Sequence, residues 1–541
     1  MRSKGTLTFI LIVICIYGAF FRFYNINWDS FGAYHPDERN ISWAVTRINF
    51  FSQMDPKFFA YGGLPIYLYR ALGEGVIYFT HNPNWLFDWG HIAVVGRHVS
   101  ATLSTISIIL MFLVGTAYFS PVIGLVSAFL LTFSPWAIRE AHYETTETML
   151  VFFILLLLLL SKHIQKKRGL ILPGVVWGLA MAAKTTAILF GVIPLAAIWI
   201  PGLFKNIPKK ILSSIVLTAV AAVFFFSFSP YTILDFRHFN ESMTYESGVA
   251  LGRFTVPYTL QFLHTTPYLY QLVTMLWQAG PLVIVGVAGM ILLVAVGVRK
   301  KQKEFFILLI FPVIYFGWLG TWFAKFARYN VPFLPFVTLA AAWVCGLMIK
   351  KFRITGLIFS ALLLGVTMLW GLANVTIYFR PQTKITATQW ILDHISPSQT
   401  IYTEHWNDGL PLDLPNVAQY HRELLTVYDD PDDNAKRIYY ADKLSVGDYI
   451  ILSTRRIWGT MPNLTKRYPL THIFYKKLLA GELGYTEVAT FTSYPQLLGV
   501  SINDDSAEES VTVFDHPSVR IFQNSKRFSK EEIYRLLAPT L

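Results

Sequence analysis

Four short polar clusters in an otherwise apolar chain have the residue types needed for group transfer from an anionic substrate. The first is Tyr34-His35-Pro36-Asp37-Glu38, in which two adjacent carboxylates offer a base that could take a proton from a nucleophile. The second contains Arg139, Glu140, His142, Tyr143 and Glu144, with Glu147 just beyond. The third is Lys184-Thr185-Thr186, and the fourth is Lys325, Arg328 and Tyr329. An arginine can grip a phosphate in a forked geometry, and a lysine can neutralise it as a point charge. Each cluster also has a plain structural reading. Pro36 suits the first position of a helix, where Asp37 and Glu38 would complement the dipole. Residues 139–147 could simply flank a helix, and Lys184 could snorkel to lipid headgroups.

The elements that must position these clusters are membrane helices. Apolar residues make up 54% of the chain and charged residues 14%, well below the roughly one quarter of a soluble domain. A span needs about 20 apolar residues. On that measure spans fall near 7–23, 99–119, 122–136, 148–160, 170–183, 185–200, 211–230, 269–298, 305–323, 331–348 and 354–379, roughly eleven in all. The start of the chain is basic and then apolar but lacks a small-x-small cleavage site, so an uncleaved first helix is expected.

Basic clusters at 162–168, 205–210, 299–303 and 350–353 alternate with the spans. The positive-inside rule then puts them and the N-terminus in the cytoplasm. The long loops 24–98 and 231–268 fall outside, and aromatic stretches at 64–72 and 76–79 read as helices lying at the interface. All four polar clusters share that outer side, and Lys325 and Arg328 break the charge rule there, which favours an anionic partner.

The net charge of +12 arises from these loop clusters, so it does not point to nucleic acid. Cys15 and Cys345 sit in apolar runs and offer no disulfide framework. His35, His142, His238 and His264 fall on the outer side without the close spacing of a metal-ligand set. Past residue 379 a helix at 386–395 and strands at 400–403, 449–452, 486–491 and 519–522 indicate one α/β or α+β domain over 380–541, outside the cytoplasm. Its acidic run, Asp429, Asp430, Asp432 and Asp433, lacks the glycine and terminal glutamate of a calcium loop and reads as a solvated turn.

The pattern resembles the glycosyltransferase C-fold (GT-C) superfamily, especially the protein O-mannosyltransferases and lipid A aminoarabinose transferase. The matching residues are His35-Pro36-Asp37-Glu38, Arg139…His142-Tyr143…Glu147, Gly178…Lys184-Thr185 and Arg328-Tyr329…Pro332…Pro335. The family often carries Asp where this chain has Glu147. The Asp515-His516-Pro517 tail looks like the domain appended to some members.

The resemblance implies an inverting transfer from a polyprenyl- or dolichyl-phosphate sugar to a lipid, glycan or protein acceptor. Asp37 matches the catalytic carboxylate, with Glu38 beside it. Arg139, Lys184, Lys325 and Arg328 would hold the donor phosphate, and His35, His142, Tyr143, Glu147 and Tyr329 the substrate. A phosphate leaves as a stabilised anion, so cations can replace a general acid. A divalent metal is compatible with this chemistry but not required by it. A transporter or flippase for a lipid-linked glycan is the rival reading. Such proteins tend to show internal repeats and polar breaks near the membrane midplane; here the polar residues gather at one face. A scaffold or receptor is the third reading, and it would tolerate the loss of Asp37.

Overall fold

The computed structural model describes residues 4–164, 169–202, 205–413, 420–428 and 431–538. Lys166, Lys167, Arg168, Asp429 and Asp430, singled out above, lie outside the described residues. The chain divides into two compact units, Met1–Phe254 with Thr265–Thr376, and Thr255–His264 with Ile377–Leu541.

The first unit is helical. Its main helices are α1 (Lys4–Phe23), α2 (Pro36–Arg47), α3 (Gly63–Thr80), α4 (Trp89–Tyr118), α5 (Pro121–Thr132), α6 (Pro135–Glu140), α7 (Glu147–Ser161) and α8 (Ile171–Ala183). They continue with α9 (Val192–Trp199), α10 (Ile207–Phe228), α11 (Phe236–Ala250), α12 (Leu269–Ala279), α13 (Pro281–Lys300), α14 (Lys303–Leu319) and α15 (Leu334–Val375). Among the described residues five stretches are long and apolar enough to cross a membrane: Gly5–Phe23, Trp89–Tyr118, Ile207–Phe228, Pro281–Lys300 and the run Ala327–His394. Shorter apolar helices lie between them. α10 leaves Ile211, Leu212, Ile215 and Val223 exposed, as suits a helix whose outer face meets lipid rather than water.

Several expected boundaries move, each for a local reason. The stretch expected as one span at 269–298 is two helices, because Gly280 adopts a positive φ of 61° immediately before Pro281. The expected span at 122–136 stops at Thr132, and α6 restarts with Pro135 at its first position. The spans expected at 331–348 and 354–379 keep their expected break: α15 consists of two helices separated by non-helical backbone at Phe352 and Arg353. The two interfacial stretches merge into α3.

The second unit is built on a five-stranded sheet of β1 (Thr400–Glu404), β2 (His421–Leu425), β3 (Tyr449–Leu452), β4 (Tyr485–Phe491) and β7 (Val519–Asn524), in the order β2-β1-β3-β7-β4. β5 (Gln496–Leu497) and β6 (Val500–Ser501) form a separate small hairpin. β2, β1 and β3 are parallel, and β7 and β4 run antiparallel, so the sheet is mixed. β3 is buried throughout as a continuous apolar strand, while the polar, partly exposed β2 carries no alternation from which to read it. Asp433 caps the helix Asn434–Val446, and Asp432 accepts hydrogen bonds from Leu470 N (2.6 Å) and Thr471 N (3.2 Å). These two acids therefore serve local backbone structure.

The buried His516 of this unit lies between Asp515 and Asp504, with Nε2 3.0 Å from Asp504 Oδ2. Burial opposes its charge, but the two carboxylates outweigh that and push the imidazole up to about 10. A group raised in the folded state contributes its full stability below its unfolded pKa, and loses it as pH climbs through the folded value. The unit should therefore become less stable from about pH 6.5 to about pH 10. Hydrogen exchange across residues 377–541 of the whole chain should show that slope, and His516→Gln should flatten it.

Candidate active site

α2 sets the position of the first carboxylate. His35 caps the helix, its Nδ1 accepting from Asp37 N at 3.2 Å, and Pro36 takes the first helical position. The helical reading of this cluster and a chemical one thus coexist: the cap orients Asp37. Its side chain is bound by Arg328 in an ion pair and accepts a hydrogen bond from Tyr61 Oη at 3.0 Å. Burial alone would raise the Asp37 carboxyl. Arg328, His35, Tyr61 and Lys184 together outweigh it and hold the group below the usual carboxylate range.

Glu38 points the other way, into the protein. It is fully buried and bound twice by Arg97 of α4, from Nε at 2.8 Å and Nη2 at 2.7 Å. The same guanidinium holds Asp29 at 2.8 and 2.7 Å and donates to Ile26 O at 3.1 Å. Glu38 also accepts from Glu144 N at 2.8 Å, which ties the second cluster to the first. His142 is buried with its ring nitrogens 2.8 Å from Ile138 O and 3.0 Å from Tyr24 O. Tyr143 packs its ring 4.8 Å from that of His35.

A cavity of about 240 Å³ opens beside Arg328. Glu147, Lys184, Arg328 and Tyr329 line one part of it. Lys184 Nζ is paired with the buried Glu147 at 2.7 Å and lies over the Tyr61 ring at 5.1 Å. Lys184, paired with Glu147, and Arg328, paired with Asp37, therefore lie on either side of Tyr61. Glu246 of α11 reaches the same cavity, as do Trp318 and Trp322.

Of the residues predicted from sequence, His35, Asp37, Glu38, Arg139, His142, Tyr143 and Lys325 are not among those lining the cavity in the described structure; Asp37 reaches it only through its ion pair with Arg328. Arg139 lies 3.5 Å from Glu140, and Lys325 donates to Phe323 O at 2.9 Å. Sequence reasoning missed Tyr61, Arg97 and Glu246. The signal for Tyr61 is the Gly62-Gly63 pair that follows it. A Cβ on Gly62 would sit 1.9 Å from Ala182 O, so glycine is needed for the loop to dock beside Lys184. The signal for Arg97 is a lone arginine in an apolar helix, which is costly without a partner.

Among the described residues no three His, Cys, Asp or Glu side chains converge as a metal-ligand set.

Residues 85–234 match the family model of dolichyl-phosphate-mannose-protein mannosyltransferase. No curated protein matches the chain by sequence. The structure is similar to the oligosaccharyltransferase of Archaeoglobus fulgidus in its apo form, with a TM-score of 0.55 at 13% identity over 93% of this chain and 75% of that one. The same enzyme in complex with an inhibitory peptide and a dolichol-phosphate aligns with a TM-score of 0.54 at 13% identity, over 92% and 74%. ArnT from Cupriavidus metallidurans bound to undecaprenyl phosphate aligns over 96% of this chain and 98% of that one, with 11% identity and a TM-score of 0.48. The chain therefore shares the fold of the archaeal oligosaccharyltransferase.

Proposed function

We propose that the chain is an inverting membrane glycosyltransferase that takes its sugar from a polyprenyl- or dolichyl-phosphate donor. The observation that carries this reading is one cavity bordered by Lys184 and Arg328, with the Asp37 carboxylate held directly behind Arg328. The dolichol-phosphate in the archaeal neighbour supports a lipid-phosphate donor, and the family match supports a sugar on it. The positive-inside pattern supports a site at the outer face of the membrane, with the second unit on the same side.

In the reaction, the acceptor's O–H or N–H attacks the anomeric carbon and gives its proton to the Asp37 carboxylate. The bond from that carbon to the phosphate oxygen breaks, and the lipid phosphate leaves with the electron pair. Arg328 and Lys184 stabilise the charge that grows on the leaving oxygen. Arriving phosphate competes with Asp37 for Arg328, so donor binding loosens the ion pair and frees the base. The buried Glu38 and Arg97 hold α2 in place.

The test is transfer of label from a panel of polyprenyl-phosphate sugars to membrane acceptors by the purified chain in lipid. Transfer that bare polyprenyl phosphate inhibits competitively is the expected result; a chain with no transfer and no affinity for the lipid phosphate overturns the reading. Losing a charge-assisted contact costs about 10- to 100-fold. The double variant Lys184→Gln with Glu147→Gln avoids stranding a buried carboxylate, and it should raise the donor KM by about that factor.

A further inference from the structure

The cavity has a wall that the transfer chemistry does not use. α11 presents Met243, Glu246, Ser247 and Ala250 to it, the i, i+3, i+4, i+7 spacing of one helical face. Both ends of this helix are anchored. Asp235, just before it, pairs with Lys57 at 2.9 Å, and Ala250 O accepts from Ala324 N at 3.1 Å. Gly252 then turns the chain at φ 75°, where a Cβ would press on the Phe323 ring at 2.8 Å. The helix is thus held against the loop that carries Arg328.

Glu246 is the unusual member of this face. Among the described residues its exposed carboxylate makes no hydrogen bond or ion pair, although Arg328 and Lys184 border the same cavity. Facing the same space are Trp318 and Trp322, with rings 4.6 Å apart and nearly perpendicular. Indole faces and a carboxylate without a protein partner suit a sugar ring, which offers C–H faces to the one and hydrogen-bond donors to the other. With the donor phosphate on Arg328 and Lys184, the sugar attached to it must lie in the remaining part of the cavity.

We propose that Glu246 is a specificity-determining residue, accepting hydrogen bonds from the ring substituents of the donor sugar while Trp318 and Trp322 pack on its face. This role rests on the transfer reaction proposed above. The donors are ring hydroxyls or a ring amino group, and both chemistries belong in the test.

The experiment measures binding by the full chain in lipid nanodiscs, native and Glu246→Gln, with thermal unfolding as the folding control. The ligands are bare polyprenyl phosphate and polyprenyl-phosphate donors bearing neutral sugars, amino sugars and their single-deoxy analogues. Native protein should bind at least one sugar-bearing donor about 10- to 100-fold more tightly than the bare lipid phosphate. Glu246→Gln should lose most of that gain and bind the bare lipid phosphate as the native chain does. One deoxy analogue should bind native and variant alike, which identifies the substituent that Glu246 reads. A preserved sugar-dependent gain in the variant overturns the proposal, as does an equal loss for every ligand, the bare lipid phosphate included. No gain from any sugar in the native chain overturns it while leaving the lipid-phosphate reading intact. Failure of the bare lipid phosphate to bind native protein overturns both.

Discussion

Asp37→Asn should lower sugar transfer by about 10²- to 10⁴-fold, the range for loss of a positioned general base, while leaving folding near native and donor binding as tight or tighter, since the phosphate no longer competes with a carboxylate for Arg328. Asparagine keeps the shape of the side chain and can still accept from Tyr61 and Arg328, but it cannot take the proton. The comparison that matters is kcat against donor affinity: a fall in turnover without any loss of polyprenyl-phosphate binding is the signature of a base. Because Asp37 is held below the usual carboxylate range, it is ionised at all ordinary pH values. Any acid limb above that range in the native kcat/KM profile, which reports the free enzyme, therefore belongs to another group. Equal transfer by native and variant would remove Asp37 from the chemistry.

Arg97→Met should have the largest effect on stability. The guanidinium is fully buried and neutralises two buried carboxylates, Asp29 and Glu38. Removing it leaves both without compensation, and breaking even one buried pair costs about 3–5 kcal/mol. That is a large share of the roughly 5–15 kcal/mol that separates folded from unfolded in a typical domain. Expression and thermal unfolding in detergent should both fall sharply. Arg97→Lys should not rescue them, because a single ammonium cannot reproduce two forked contacts. The triple variant Arg97→Met, Asp29→Asn, Glu38→Gln should recover part of the stability by removing the stranded charges. It should still be slow in transfer, since α2 would no longer be held to α4. A triple variant as unstable as Arg97→Met alone would place the cost in packing rather than charge.

The sheet order also lay beyond the sequence reading: β1, β3, β4 and β7 were visible as runs of apolar or β-branched residues. β2, with the sequence His421-Arg422-Glu423-Leu424-Leu425, is a strand because β1 pairs with it in parallel, not because of its own pattern.

By itself the sequence determined the helical, membrane-type character of residues before about 380 and the mixed domain after it. Long apolar runs and short alternating segments are local properties, and each residue votes without knowing its neighbours in space. It also supplied residues of the proposed site, because Asp37, Lys184, Arg328 and Glu147 stand out wherever charge is costly. Only the tertiary structure decided their partners. Asp37 and Glu38 are adjacent in the chain, yet the roughly 100° between successive helix positions sends Asp37 to Arg328 and Glu38 to Arg97. Glu246 sits in a loop whose polarity looks ordinary, and only the docking of α11 brings it to the cavity. Contacts between residues hundreds of positions apart are set by how helices pack, and no local spacing encodes that.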